Sequence, residues 1–179
     1  MRNFLLCLVL AVLIFLAGCM QQQVKVDQTG PDLTSVPVSH DETYLSCLYY
    51  DESVFLYNLD CSKSYDLSRP PVIALSPHYN QAMFLTTSIL QEAKDLGAAY
   101  QTVVILAPNH SGLGAPVQCA NQSWQTPFGT CATDAAWVKK IVLDPEMKAA
   151  IDNERLVEDH SASTLIPYIN YFFPEAEVI

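Results

Sequence analysis

The hydrophobic pattern predicts a strand–helix–strand unit in the middle of the chain. Residues 71–75 form a continuous apolar run, which is typical of a strand buried on both faces. Residues 81–97 carry apolar side chains at nearly helical spacing and end at Gly97, a residue that often follows a helix. A second strand is predicted over residues 102–106. Such a unit joins two parallel, adjacent strands by a right-handed crossover, so an α/β fold with a mostly parallel central sheet flanked by helices is expected.

Patterning is weaker on either side of this unit. Residues 43–67 show no clean period and predict short strands or irregular cover. The stretch "SWQTPFGTCATD", residues 123–134, is interrupted by Pro and Gly and predicts a loop. Further predicted elements are a helix over 134–143 starting at Asp134, a helix or helix and turn over 144–160, and the start of a strand over 176–179. Residues 161–174 carry an apolar face that is interrupted by Pro167.

Two histidines follow the two predicted strands. His78 comes three residues after the first strand and His110 four residues after the second. Because the carboxyl ends of parallel strands share one edge of the sheet, both imidazoles should emerge side by side. Imidazole is the commonest metal ligand and an acid–base group near neutral pH. A single histidine is more often structural, but the matched pair favours a site for Fe(II), Cu or Zn.

A serine hydrolase is the alternative chemistry. Ser111 and Ser161 each follow a histidine. Neighbours in sequence do not make a catalytic triad, however, and no G-x-S-x-G turn is present in the sequence.

The N-terminus has the pattern of an export signal. Arg2 precedes 13 apolar residues, 4–16, and this run is shorter than the roughly 20 residues that span a bilayer. The following Leu-Ala-Gly-Cys resembles a bacterial lipobox. It predicts a signal peptide over 1–18, diacylglycerol and a palmitate-type acyl chain on Cys19, a flexible tether over 19–42 and a domain over 43–179. The protein would then be anchored in the bacterial cell envelope, facing the extracytoplasmic side; an ordinary secretory signal is the alternative.

Charge and cysteine content narrow the partners and the compartment. The net charge of −10 argues against nucleic acid as a partner, and the small-molecule ligand is not identified by the sequence. Four of the six cysteines lie beyond the predicted signal and Cys19. An oxidising compartment favours disulfides, and we expect the local pairs Cys47–Cys61 and Cys119–Cys131, although three connectivities are open. A metal role for Cys119 or Cys131 is the alternative.

Four motifs together resemble the Memo family. They are "SPH", "ILAPNHSG", "WQTPFGTCATD" and "EDHSASTLIPYINYFFPEAEVI", in this order between about residues 72 and 179. The bacterial members of this family are called AmmeMemoRadiSam system protein B, and its fold is similar to class III extradiol dioxygenases, which use non-haem iron. The resemblance implies that His78 and His110 bind the metal and that His160 is a nearby catalytic acid–base. It also implies a substrate pocket, whose expected members are Asn109, Ser111, Trp124 and Thr126, with Pro127 and Gly129 in the same loop.

This chain departs from the family pattern at two points. The first motif continues as His78-Tyr79-Asn80-Gln81, where the family has His-Ala-Gly-Tyr. The family's third metal ligand, often a cysteine, belongs to a C-terminal half expected after Ile179. The resemblance therefore implies the N-terminal portion of a longer domain, or a reduced version with an incomplete site.

The expected function is that of a membrane-anchored Memo-like protein with a histidine-based iron or copper site. Its activity would be a metal-dependent oxidation of an unknown substrate. The alternatives are a non-catalytic exported lipoprotein that binds a metal or small ligand, and a truncated inactive fragment.

Overall fold

The structure is a computed structural model that describes residues 44–179. The predicted signal peptide, the lipidation site Cys19 and the tether lie outside these residues. Across 44–179, the helices are all too short or too polar to cross a membrane.

The described chain alternates helices and short strands. The helices are α1 Glu52–Asp60, α2 Phe84–Asp95, α3 Ala135–Leu143, α4 Asn153–Glu158 and α5 His160–Phe172. The strands are β1 Tyr44–Ser46, β2 Thr102–Val103, β3 Val117–Cys119, β4 Ser123–Thr126, β5 Gly129–Cys131, β6 Ala149–Ile151 and β7 Glu177–Val178. Parallel pairs form between β1 and β4, β2 and β7, and β3 and β6, whereas β4 and β5 are antiparallel. The α/β class is confirmed, with the strands divided among three small sheets.

Aspartates begin four of the five described helices. Asp51, Asp134, Asp152 and Asp159 cap α1, α3, α4 and α5, and each carboxylate accepts a backbone N–H from the first turn. A carboxylate in this position satisfies an otherwise unpaired amide and interacts favourably with the helix dipole. The predicted start of a helix at Asp134 is confirmed.

The predicted helix over 81–97 is present as a short 3₁₀ turn, Asn80–Ala82, followed by α2. Gly97 ends it in the left-handed conformation with φ of 79°. The N–H of Ala98 donates to the Ala93 carbonyl and the N–H of Gly97 to the Lys94 carbonyl. This pair of hydrogen bonds is the Schellman arrangement that closes many helices.

Helix α5 lies at the centre of the core. Its residues Ile166 and Ile169 pack with Leu45 of β1, Trp124 of β4 and Val178 of β7. Its C-terminal end packs against Ala93 of α2 through Phe172. Burial of these side chains fixes the axis of α5, and with it the position of His160 at its first residue.

The strand predicted over residues 71–75 is not formed. The segment has no regular secondary structure and bends at Val72; none of the strands between residues 44 and 179 pairs with it, and Val72, Ile73 and Leu75 are 94%, 87% and 94% exposed. The predicted strand over 102–106 pairs instead with β7, and the Ile105 N–H continues this ladder to the Ile179 carbonyl. The prediction of a strand starting near residue 176 is confirmed by β7.

Three elements differ from the sequence predictions. Helix α1 occupies a stretch where no period was visible, because it buries only Phe55 and Asn58 and exposes Leu56 and Tyr57. The predicted loop over 123–134 contains the β4–β5 hairpin, whose strands are separated by two residues. Strand β6 replaces part of a predicted helix, because it pairs in parallel with β3.

The cysteines differ from the predicted disulfides. Cys47, Cys61, Cys119 and Cys131, which are all within the described chain, are free thiols. Cys47 packs against the core cluster that contains Cys131, while Cys61 caps the far end of α1. Cys119 lies on β3 and Cys131 on β5, in separate sheets. Neither predicted pair is therefore brought together by the fold.

Candidate metal site

Three histidines from distant parts of the chain converge at one end of α5. His78 follows the irregular segment 71–75, His110 lies in the loop after β2, and His160 is the first residue of α5. Their ring centroids are 5.0 Å apart for His78 and His110, 5.4 Å for His78 and His160, and 4.3 Å for His110 and His160. The expected juxtaposition of His78 and His110 is therefore observed, although the segment before His78 forms no strand.

The three rings form a set of donors that suits a metal ion. One ring nitrogen from each histidine lies within 4.8 Å of the other two. Nitrogen ligands lie about 2 Å from a bound transition metal, so two ligands of one ion are separated by at most about 4 Å. Small side-chain rotations bring these nitrogens to that separation. His160 is as well placed as the other two, which extends the ligand pair expected from the sequence to a set of three.

Asp159 holds His110 in place. Its carboxylate accepts the His110 backbone N–H at 2.8 Å and contacts His110 Nδ1 at 2.9 Å. The same carboxylate caps α5 by accepting the Ser161 N–H at 2.8 Å. A proton on Nδ1, donated to a carboxylate, leaves the Nε2 lone pair available to a metal, as is usual for metal-binding histidines.

The charge on Asp159 is retained over a wide pH range. Partial burial alone would raise the pKa of this carboxyl group, but hydrogen bonds donated by His110 and Ser161 outweigh it and hold the pKa far below its ordinary value. The anionic partner of His110 is therefore always present near neutral pH.

His78 is held in its neutral form. Partial burial lowers its pKa, and the neighbouring imidazoles of His110 and His160 lower it further, against a smaller opposite effect of Asp159. A neutral imidazole is the form that binds metals, so this environment keeps His78 ready to act as a ligand.

Asn109 and Ser111 shape the loop that carries His110. The Asn109 side-chain oxygen accepts hydrogen bonds from the Ser111 hydroxyl and the Gly112 N–H, and its amide donates to the Leu113 carbonyl. The Ser161 hydroxyl donates to the Pro108 carbonyl, which fastens this loop to α5. Since both serine hydroxyls donate to these loop oxygens, the geometry gives no support to a serine hydrolase.

A cavity of about 380 Å³ opens beside the histidines. Its lining residues are Asn109, His110, Ser111, Arg155, Glu158, Asp159 and His160. The predicted pocket residues Asn109 and Ser111 are thus present in it.

Trp124 and Thr126 lie elsewhere. Trp124 is 2% exposed in the core beside Leu45, and the Thr126 hydroxyl donates to Asn170 Oδ1 inside the protein. Both residues support α5 from within the core and do not line this cavity.

The sequence did not identify Arg155 and Glu158 in the cavity lining, nor Asp159 and Tyr49 beside the histidines. Asp159 could have been recognised, because an aspartate directly before an apolar helical stretch is a common N-cap. Tyr49, whose ring centroid lies 5.8 Å from that of His160, could not, because it is more than a hundred residues away in the chain.

Residues 62–179 match the family model described as Memo-like protein. Similar proteins include a MEMO1 family protein from Metallosphaera sedula, 33% identical over 78 residues that make up 43% of this chain and 27% of the relative. Another, from Desulfurococcus amylolyticus, is 37% identical over 75 residues, or 41% of this chain and 26% of the relative. A third, from Thermotoga maritima, is 36% identical over 78 residues, which make up 43% of this chain and 28% of the relative.

The matched stretch spans little more than a quarter of the length of each of these relatives. No solved structure gives a significant match to this chain.

Proposed function

The chain belongs to the Memo-like protein family, and we propose that it binds one transition-metal ion through His78, His110 and His160. The observation that carries this proposal is the convergence of three imidazole nitrogens within 4.8 Å of one another. Imidazole ligands suit iron, copper, zinc and nickel. We propose iron or copper as the ion, which would supply redox or Lewis-acid chemistry at this place.

The protein's own residues would prepare the site for this ion. Asp159 orients His110 and fixes the position of its proton, and the surroundings of His78 keep that ring neutral. Three protein nitrogens leave further coordination positions open, as in catalytic metal sites. The adjoining cavity has a volume typical of sites for small molecules. We therefore propose the metal-dependent oxidation of a small molecule, similar to the chemistry of the extradiol dioxygenases and within the AmmeMemoRadiSam branch of the family.

Metal titration of the full chain tests the proposal. Cu(II) and anaerobic Fe(II) should each bind with one equivalent, and His78→Ala, His110→Ala and His160→Ala should each weaken binding by more than the roughly tenfold to hundredfold that loss of a hydrogen-bond partner of a ligand costs. His40→Ala is the matched control, since this fourth histidine lies outside the described residues and has no assigned role. Equal binding by the wild type and all three variants would contradict the site.

The His160 variant also decides the role of that residue. If His160 is a ligand, His160→Ala should weaken metal binding as strongly as His78→Ala does. A proton carrier that does not bind the ion, the role implied by the family resemblance, would leave affinity unchanged and lower only turnover.

We also propose that the protein is attached to the bacterial cell envelope by lipid on Cys19. The support is the short apolar stretch over residues 4–16 ending in Leu-Ala-Gly-Cys. In cells given radiolabelled palmitate, the wild type should be labelled and recovered with membranes, whereas Cys19→Ala should lose both properties. The control is Cys7→Ala, which replaces a cysteine within the predicted signal and should be labelled normally. Labelling of the Cys19→Ala variant would refute the lipid anchor.

A further inference from the structure

Tyr49 lies in the turn between β1 and α1, outside the residues that match the Memo-like family model. The turn is closed by a hydrogen bond from the Tyr50 N–H to the Cys47 carbonyl. The Tyr49 side chain contacts the start of α5. A segment outside the family match therefore contributes to the surroundings of the histidines.

Three contacts join Tyr49 to the elements that carry the histidines. Its hydroxyl donates to the Glu158 carbonyl at 2.5 Å. Its ring meets the ring of His160 edge-on, with centroids 5.8 Å apart and planes at 65°. Its backbone carbonyl accepts the Asn80 side-chain amide at 3.0 Å.

These contacts are made with chain segments next to His78 and His160, and so they affect the positions of both histidines. Glu158 is the last residue of α4 and is followed at once by Asp159 and His160, so a bond to its carbonyl fixes the α4–α5 junction. Asn80 comes two residues after His78. Tyr49 is therefore attached to the chain beside His78 on one side and beside His160 on the other.

The attachment is anchored in the core. The amide of Asn58, a fully buried residue of α1, donates to the Asn80 carbonyl at 2.7 Å and to the Tyr168 hydroxyl of α5 at 3.1 Å. Asn80 is thus held from both sides, by Asn58 and by Tyr49. Such a supported contact keeps a site in one geometry.

We infer that Tyr49 is a positioning residue for the metal site, which sets the separation of His78 and His160 and holds the His160 ring toward the shared centre. This inference rests on the proposed metal-binding function. It gives a role in the metal site to a residue of the segment 44–61, which lies outside the family match and contains none of the three histidines.

Cu(II) titration and electron paramagnetic resonance of the full chain test the inference. Tyr49→Ala should weaken Cu(II) binding by about tenfold and reduce the number of nitrogens coupled to the ion from three to two, because His160 is released. Tyr49→Phe keeps the ring but loses the bond to Glu158, so binding should weaken by about fivefold, the size expected for one hydrogen bond. Tyr44→Ala and Tyr44→Phe are the matched controls, since Tyr44 is a similarly exposed tyrosine at the start of β1, and they should bind like the wild type.

A measurement without metal separates positioning from general stability. The ring of Tyr49 should shift the proton resonances of His160 in the metal-free chain, and Tyr49→Ala should abolish this shift while the resonances of core residues such as Trp124 stay unchanged. If Tyr49→Ala fails to fold, the Tyr49→Phe variant decides the question through its affinity. Three-nitrogen Cu(II) binding by the wild type and by both Tyr49 variants, with unchanged affinity, would overturn the inference and leave the metal site standing. A wild-type chain that binds no metal would overturn both.

Discussion

A single carboxylate links the first turn of a helix to a metal-binding ring. Asp159 accepts the backbone N–H of Ser161, as a cap of α5, and both the backbone and ring N–H of His110. Capping requires one oxygen acceptor, which asparagine also provides, whereas the negative charge of the carboxylate makes the imidazole a more basic metal ligand. Substitution by asparagine therefore keeps an acceptor for the cap and removes the charge beside His110.

Asp159→Asn should weaken metal binding by about tenfold to a hundredfold and also lower the stability of the metal-free chain, because an amide offers one acceptor oxygen where the carboxylate uses two. Asp159→Ala should lose the cap as well and destabilise the fold by about 1 kcal/mol more. Calorimetric titration and urea unfolding measure the two effects. Asp51→Asn, the same change at the cap of α1, should not alter affinity; an equal loss there would show that the effect is not specific to His110.

The buried thiols predict a loss of stability in alkali. Burial raises the pKa of Cys47 from 9.0 to about 12, with a further contribution from Cys131, and burial raises the pKa of Cys131 to about 11. In the unfolded chain these thiols ionise near pH 9.0, so above that pH the unfolded state binds fewer protons than the folded state. The free energy of unfolding should be unaffected by these groups below pH 9.0 and should fall as the pH rises toward 11.

Urea unfolding at a series of pH values measures this slope. Cys47→Ala should make the fall of the unfolding free energy with pH less steep, because one of the two thiols with a raised pKa is removed. An identical slope in that variant would mean that Cys47 ionises equally easily in both states.

At the scale of elements, the loop between β2 and β3 is built to present His110. Asn109 organises its turn, and Gly114 closes it in the left-handed conformation with φ of 84°. A Cβ at Gly114 would lie 2.2 Å from the Gln118 side-chain nitrogen, which donates to the Leu113 carbonyl. The left-handed conformation favours glycine at this position, and a Cβ here would also push the flexible end of the Gln118 side chain away from the Leu113 carbonyl.

Gly114→Ala should destabilise the chain by about 1–3 kcal/mol and also weaken metal binding, because the displaced Gln118 no longer holds the loop of His110. Gly97→Ala is the matched control. It has a similar φ of 79° but open space around the new methyl group, so it should cost stability without changing affinity. Thermal unfolding and Cu(II) titration compare the two, and equal affinities would show that the loop tolerates the change.

The convergence of His78 and His110 was predictable from the chain, but its exact support was not. An apolar run followed by a proline and then a histidine places both residues at one edge, and Asp134 and the apolar positions of α5 correctly predict helices. The strand over residues 71–75 is predicted from a continuous apolar run, which does not reveal whether a neighbouring strand is present to pair with it.

Long-range contacts account for most of the remaining differences. Strand β6 exists because β3 lies beside it, and α1 is held by Asn58 rather than by a continuous apolar face. Asn80 stands where the family resemblance predicts glycine, and its side chain makes the bond to Tyr49. None of these pairings has a local sequence pattern, so they become visible only in three dimensions.

At the scale of the whole molecule, segment 71–75 is notable because its apolar side chains are exposed to solvent. Together with Leu106, which is 94% exposed, its residues present several large aliphatic side chains to solvent. Large apolar surfaces that are exposed on a soluble protein often mark sites of contact with another chain.

The full chain should therefore self-associate as its concentration rises. Leu75→Lys and Leu106→Lys should each reduce this association, because a charge in place of an exposed aliphatic side chain opposes burial against another chain. Sedimentation velocity over a range of concentrations measures it. Leu143→Lys, at the exposed end of α3, is the control and should associate like the wild type; unchanged association in the two test variants would place the contact elsewhere.

The spacing of the three histidines along the chain has a consequence for folding. His78 and His110 are 32 residues apart, and His110 and His160 are 50 residues apart. An ion held by all three acts as a reversible cross-link that closes two long loops and lowers the entropy of any opened form that keeps it bound. At a free-ion concentration of one hundred times the dissociation constant, selective binding to the folded form adds about 2.7 kcal/mol to its stability. Amide hydrogen exchange should then slow together in segments far apart in sequence, around residues 78, 110 and 160, when metal is added.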